Sequence, residues 1–258
     1  MRLIVPPARL TLLPRPVRRS LLWRSFVVQG SWNYETLIGT GFAFMLLPVL
    51  RYVYRSDPGA LQAAVARHVG LFNSHPYLAT LAAGAIARLE ADGTSAEVIE
   101  RFKTAVRGSL GSIGDQLIWL SWRPAVALLA IALLLLGAPW WVAVLVFLLV
   151  YNSLHFWLRV WGMRIGLEEG LGVGRALREA PLHRVGGRAA DAGALLGGLC
   201  VALAVGQAGT ESAALVLAGV AAAAGLALGL RVRSAVYWVL LLVWIAGVVS
   251  GITSRLVG

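Results

Sequence analysis

The chain has 258 residues, 59% hydrophobic and 14% charged, with a formal net charge of +11. A soluble domain carries about 25% charged residues, so this composition excludes an ordinary soluble globular protein. All but one of the 23 basic residues are arginine (Lys103 is the lone lysine) and they lie between apolar runs; the positive-inside rule accounts for that placement, and no basic face interleaved with aromatics points to nucleic acid.

Residues 1–29 read as a basic cytoplasmic or interfacial arm. The stretch to Arg19 is broken by Pro6, Pro7, Pro14 and Pro16 and lacks the long apolar core of a signal peptide. Arg18, Arg19 and Arg24 are expected to meet anionic headgroups. Residues 30–123 are mixed. Leu37–Leu50 is apolar but holds only 14 residues, with Gly39, Gly41 and Pro48 inside it. It is too short for an untilted span and suits a re-entrant, broken or buried segment. Ser56-Asp57-Pro58 predicts a helix start, with a cap and an early proline. Ala60–Phe72 is amphipathic. Tyr77–Leu89 is a second short apolar run, ending at Arg88 and Glu90. Thr94 and Glu97 fit a capping box opening a helix over Ser95–Arg107. Two short segments of this kind suit either the discontinuous helices of a transporter core or a pair of cytoplasmic helices covering the membrane face.

No Asp, Glu, Lys or Arg occurs in the 35 residues between Arg123 and Arg159, and Gly137-Ala138-Pro139 falls near the middle. A span needs about 20 apolar residues. Residues 117–158 are therefore expected as a transmembrane hairpin, Leu117–Leu136 and Trp140–Leu158. Residues 159–191, with six arginines and four acids, are expected as a cytoplasmic loop. Residues 192–258 hold three further apolar stretches, about Ala192–Gly209, Ala213–Leu230 and Ala235–Ile252. The Ala/Gly-rich character of the first two permits close helix approach. The fold class is all-α: a polytopic membrane protein with about five full spans after a region of short broken or re-entrant helices. The arginine bias puts the N-terminus in the cytoplasm and the C-terminus outside. Trp140 and Trp141 then anchor the outer interface, and Trp157 and Trp161 the inner one. Cys200, the single cysteine, is expected to pack as a small hydrophobe. No zinc-type spacing is present, and no metal or cofactor is expected.

Three polar islands interrupt the apolar sequence: Gln29–Glu35, Phe72–Tyr77 and Gly108–Gln116. Polar groups at membrane depth are costly and usually face a cavity, pair together or serve function. Amides and carboxylates beside Trp or Tyr are the chemistry of sugar binding: polar atoms take hydroxyls in pairs, and a ring covers the apolar sugar face. The candidate substrate-binding residues are Ser31, Asn33, Glu35, Asn73, His75, Asp115 and Gln116. Asn33 and Glu35 either bind sugar hydroxyls or fix the neighbouring broken helix. Asp115, between a glycine and a span, either caps that span or contacts sugar. Asn73 and His75 satisfy buried backbone or line the pathway. His75 lacks the basic or Gly-rich cradle of a phosphoryl acceptor. His155 is expected to bond a neighbouring helix, and His183 to be a solvated loop residue.

These islands also carry a resemblance. Arg24-Ser25-Phe26-Val27-Val28-Gln29-Gly30-Ser31-Trp32-Asn33-Tyr34-Glu35, followed by Gly41-Phe42-Ala43-Phe44 and Pro48, resembles the start of the IID membrane subunit of the mannose/fructose/sorbose class of bacterial phosphotransferase systems. His68–Tyr77 resembles that family's second signature. Gly111–Trp119 with Arg123-Pro124 resembles its third, and Tyr151-Asn152 through Trp161-Gly162 and Gly166 a fourth. The order and spacing match from Arg24 to about Gly170. The resemblance implies a subunit in the bacterial inner membrane that is not an enzyme by itself. A IIC subunit would share the hexose pathway, and IIA and IIB partners would carry the phosphohistidines, with IIB phosphorylating the sugar at the cytoplasmic mouth. It also implies an elevator-type transporter assembled as a trimer. Two departures stand out. Gln207–Ser212 replaces a long polar segment, and Ser109-Leu110-Gly111-Ser112 stands where the third signature often reads Pro-Leu-Ala-Gly. They leave open an alternative, a non-transporting scaffold or regulatory subunit derived from the family.

Overall fold

The computed structural model describes residues 13–207, all helices and turns, with isolated β-bridges in place of strands. The helices are α1 (Arg15–Arg24), α2 (Gly39–Val53), α3 (Pro58–Val69), α4 (Ala79–Ala91), α5 (Ala96–Gly114), a π-helical segment (Asp115–Trp122), α6 (Arg123–Leu135), α7 (Trp140–Glu169), α8 (Val173–Glu179) and α9 (Leu182–Gln207). Among the described residues, 13–116 with 153–182 form one compact unit, and 117–152 with 183–207 a second. Ala96–Leu135 and Trp140–Ala204 each contain a stretch long and apolar enough to cross a membrane. The expected spans Ala213–Leu230 and Ala235–Ile252 lie outside the described residues, as does most of the N-terminal arm.

The first unit is built around α4. Leu81, Ala82, Ala83, Ala85 and Ile86 have no solvent exposure. A helix apolar on every side belongs in a core, which is why this 13-residue run need not span anything. Its small residues bring backbones together. A Cβ on Gly84 would sit 2.5 Å from the Met163 carbonyl oxygen, and one on Gly166 would sit 2.3 Å from that of Leu81. Gly162, four residues before Gly166, faces Thr80 and Leu81 in the same seam. This is the small-xxx-small contact that lets helices touch without side chains between them.

Asp57 caps α3 as its sequence predicts, accepting from the Ala60 N–H at 2.9 Å, with Pro58 in the first turn. The run expected as a re-entrant, broken or buried segment forms α2, which is largely buried and continuous through Pro48. Proline has no N–H, so the Phe44 carbonyl loses its helical donor. Arg24 Nη1 donates to it at 3.1 Å and the guanidinium lies 4.3 Å from the Phe44 ring centroid. Arg24, expected at headgroups, is thus engaged by α2.

Three further expectations are corrected. Thr94 is not the cap of α5; Ser95 holds that position. Gly93, at φ +70°, ends α4, and the Thr94 N–H closes back on the Leu89 carbonyl, the hydrogen bond of a Schellman turn. Asp115 does not cap a span, because α5 runs straight into the π-helical segment and leaves no helix start there. The stretch 159–191, expected as a loop, is mostly helical, and His183 lies exposed near the start of α9. Its charges pair locally, Arg164 with Glu168 at 2.8 Å and Arg175 with Glu169 at 3.0 Å, while Leu167, Val173 and Leu177 are buried.

In the second unit, Gly137 (φ +88°) turns the chain between α6 and α7, as its sequence position predicts. Gly193 and Gly197 of α9 pack on Ala125 and Leu128 of α6. Cys200 is buried there, its thiol 3.4 Å from the Leu128 carbonyl. Val144, Leu145, Leu148 and Leu149 are exposed, an outward apolar face suited to lipid.

Gly166→Ala places a methyl group inside the α4 backbone and is expected to destabilise the fold by about 1–3 kcal/mol. Gly108→Ala, at an open helical position with nothing within 4 Å, is expected to be neutral or to stabilise by up to about 1 kcal/mol. Thermal unfolding in detergent compares the two.

Candidate functional site

The first island is a turn organised by Asn33. Its Oδ1 accepts from the N–H groups of Glu35 (3.0 Å) and Thr36 (2.8 Å). Its Nδ2 donates to the Ser31 carbonyl (3.2 Å) and to Thr36 Oγ1 (2.8 Å). The backbones of Asn33 and Leu37 exchange hydrogen bonds, and Leu37 takes φ +55°. Both ends of the Asn33 amide are therefore engaged by the loop's own atoms. Of the two roles open to Asn33, fixing the segment before α2 is the one this geometry performs. Ser31 and Glu35 remain exposed beside Trp32 and Tyr34, whose rings meet edge to face at 4.8 Å.

The second island is joined to the first through backbone. The Ile38 N–H donates to the Phe72 carbonyl (3.1 Å) and the Phe72 N–H to the Thr36 carbonyl (3.2 Å). Phe42 and Phe72 stack beneath this bridge at 4.0 Å. Asn73 is exposed, whereas Ser74, His75 and Pro76 are buried. His75 in turn meets the third island. A Cβ on Gly114 would lie 2.1 Å from the Cβ of His75, so only glycine lets α5 pass this close. One residue on, Asp115 and Gln116 are exposed. The structure thus links all three islands, leaving Glu35, Asn73, Asp115 and Gln116 exposed while Asn33 and His75 support them.

Sequence reasoning missed two buried clusters. Arg159, expected in the loop, is 3% exposed on α7. Its Nη1 donates to the Ser25 carbonyl at 2.5 Å and its Nε to His155 Nε2 at 2.6 Å. Accepting at Nε2 leaves the His155 ring proton on Nδ1. The guanidinium lies 4.8 Å from the Phe26 ring centroid and 5.4 Å from that of Tyr77. Tyr77 stacks on His155 at 3.9 Å. Among the described residues no carboxylate lies within ion-pair distance of Arg159. Aromatic faces and a carbonyl hold this cation, and through them α7 grips both the end of α1 and the second island.

The other cluster centres on Glu90, 1% exposed. Tyr54 Oη donates to it at 2.5 Å and Arg67 Nη2 at 2.8 Å, and His68 Nε2 lies at 2.7 Å. Lys103, also 1% exposed, donates to the Arg67 carbonyl at 2.7 Å. Burial raises the Glu90 carboxyl pKa, but hydrogen bonds from His68, Arg67 and Tyr54 outweigh burial and hold it at about 2. Burial outweighs Glu90 at His68 and lowers its pKa. The cluster draws on the end of α2, on α3, on α4 and on α5, so no local spacing signals it. No group of three or more His, Cys, Asp or Glu among the described residues is placed to hold a metal ion.

A family model described as the PTS system mannose/fructose/sorbose family IID component matches residues 13–206. The mannose-specific EIID component of Escherichia coli (strain K12) is 29% identical over 160 residues, 60% of this chain and 56% of that protein. The match thus spans little more than half of that relative's length. The sorbose-specific EIID component of Lacticaseibacillus casei is 26% identical over 204 residues, covering 76% of this chain and 71% of that one. Among solved structures, a chain of the cryo-EM complex of the mannose transporter ManYZ with microcin E492 aligns at TM-score 0.58 and 26% identity, covering 77% of this chain and 72% of that chain. A structure described only as a membrane protein aligns at 0.65 and 27%, covering 73% and 70%.

The Glu90 cluster sets an acid limit. With the folded carboxyl near 2 and the unfolded one near 4.5, the unfolded chain binds more protons between those values. Stability from Glu90 is therefore present above about pH 4.5 and is lost as pH falls toward 2. His68, lowered in the fold, adds loss below its ordinary value of 6.5. Glu90→Gln leaves Arg67 without its buried counter-charge and is expected to cost about 3–5 kcal/mol. The variant should also lose part of the acid dependence in a pH series of thermal melts.

Proposed function

The chain belongs to the PTS system mannose/fructose/sorbose family IID component family, and from that premise we propose that it forms, with a IIC-type membrane partner, the pathway through which a hexose enters the cell. The sugar is phosphorylated from a IIB partner at the cytoplasmic mouth. The phosphohistidines belong to the IIA and IIB partners rather than to this chain, whose His75 is buried against Gly114. The protein sits in the inner membrane with several spans, its N-terminus cytoplasmic and its C-terminus external, and assembles with its partner as a trimer.

The observation that carries this reading is the linkage of the three islands. Glu35, Asn73 and Asp115 are exposed on a chain whose surface is otherwise rich in exposed Leu, Val and Trp. Acids and amides in such surroundings need a polar occupant. A sugar satisfies them with paired hydroxyls, and Trp32 and Tyr34 offer it an apolar face. A second reading, a scaffold that assembles the partner without transporting, is favoured by the short Gln207–Ser212 link.

Co-expression with a IIC partner and a sugar-uptake assay separate the two. Glu35→Gln and Asp115→Asn are each expected to lower uptake about tenfold or more, since a charge-assisted hydrogen bond contributes about 1.5–3 kcal/mol, while partner co-purification persists. Uptake unchanged in both variants, with co-purification lost, assigns the chain to the scaffold class.

A further inference from the structure

Beside α1 lies an open groove of about 770 Å³ that the sugar pathway does not use. Its floor includes Leu22 of α1 and Met163 and Leu167 of α7. Its rim carries Arg15, Arg18 and Arg19 from α1 and Arg164 from α7. The α1 arginines fall at i, i+3 and i+4, so helical geometry puts them on one stripe.

Four guanidinium groups around one apolar slot is an arrangement a protein avoids without a counter-charge, since like charges at i, i+4 repel. The one acid in the lining, Glu168, is already paired with Arg164 at 2.8 Å. Among the described residues, Arg15, Arg18 and Arg19 have no ion-pair partner. The Nε of Arg18 is moreover buried with no hydrogen-bond partner, and a buried unpaired donor costs about 1–3 kcal/mol. An anionic oxygen entering the groove satisfies it. Depth fits as well: Trp157 and Trp161 stack at 5.6 Å on α7, and Arg164 follows within one turn. Tryptophans favour the membrane interface, so the cations fall at headgroup level with the apolar floor alongside.

From this we infer that the groove between α1 and the C-terminal part of α7 binds one anionic phospholipid, its phosphate on Arg15, Arg18 and Arg19 and an acyl chain along Leu22, Met163 and Leu167. This is a built site rather than a general attraction of the arm for the membrane. It is independent of the sugar reading.

The test uses the full chain in nanodiscs of phosphatidylcholine with and without phosphatidylglycerol. Native mass spectrometry should find phosphatidylglycerol retained in preference to phosphatidylcholine by about tenfold or more, given three arginines at the headgroup. Arg18→Gln with Arg19→Gln should abolish that preference, while Arg101→Gln, remote on α5, should keep it. Wild-type Tm should rise with phosphatidylglycerol and not with free glycerol phosphate, which distinguishes a lipid from a soluble phosphate. Equal retention of the two lipids by the wild-type protein overturns the inference whether or not the double variant folds. So does a groove whose arginines are shielded from phenylglyoxal by the IIC partner in pure phosphatidylcholine but not by phosphatidylglycerol, since that assigns the surface to protein.

Discussion

The contact on which the first unit depends is backbone against backbone, α4 against α7 at Gly84, Gly162 and Gly166. A side chain at Gly84 or Gly166 would fill the space now taken by the opposing main chain, and one at Gly162 would run into the Thr80 hydroxyl. Burial of α4 on every side follows from that approach. So does the position of the segment that leads into it, Phe72–Leu78. From this segment two further contacts fan out: Phe72 pairs with Thr36 and Ile38, and His75 closes on Gly114. Polar islands far apart in sequence are thereby held in one frame.

The chain solves the cost of polar groups in apolar surroundings in three different ways. Asn33 satisfies a tight loop from within, using both ends of one amide. Arg159 keeps its charge among rings and a carbonyl. Glu90 gathers a tyrosine, an arginine and a histidine around one carboxylate. Buried ion clusters are weak as sources of stability but costly to break, so the Glu90 cluster acts mainly to fix how α2, α3 and α4 meet. Among the described residues the carboxylates of Glu35 and Asp115 have no such internal solution, and for that reason they are where an occupant is sought.

Much of this was legible in the sequence, and the failures have physical causes. The Gly137 turn and the Asp57-Pro58 helix start depend on local backbone chemistry, which neighbouring residues reveal. The apolar run from Arg123 to Arg159, interrupted at Gly137-Ala138-Pro139, likewise marks α6, the start of α7 and the turn between them. Gly108–Gln116 has the composition of a loop yet is helical. Its Gly114 serves close packing on His75, a tertiary need that composition does not separate from turn formation. The charges of 159–191 suggested a loop because local pairs such as Arg164 with Glu168 mask a buried apolar face. The clusters at Glu90 and Arg159 join residues from separate elements, and only folding brings them together.

Hydrogen exchange at the amides of Ile38 and Phe72 tests the central claim, that the islands form one framework, most directly. Measured on the full chain in nanodiscs, both amides should be protected to a similar degree, close to that of the first turns of α2, because each donates across the bridge between the first two islands. Exchange of both at the rate of an open loop, with α2 still protected, would contradict the account.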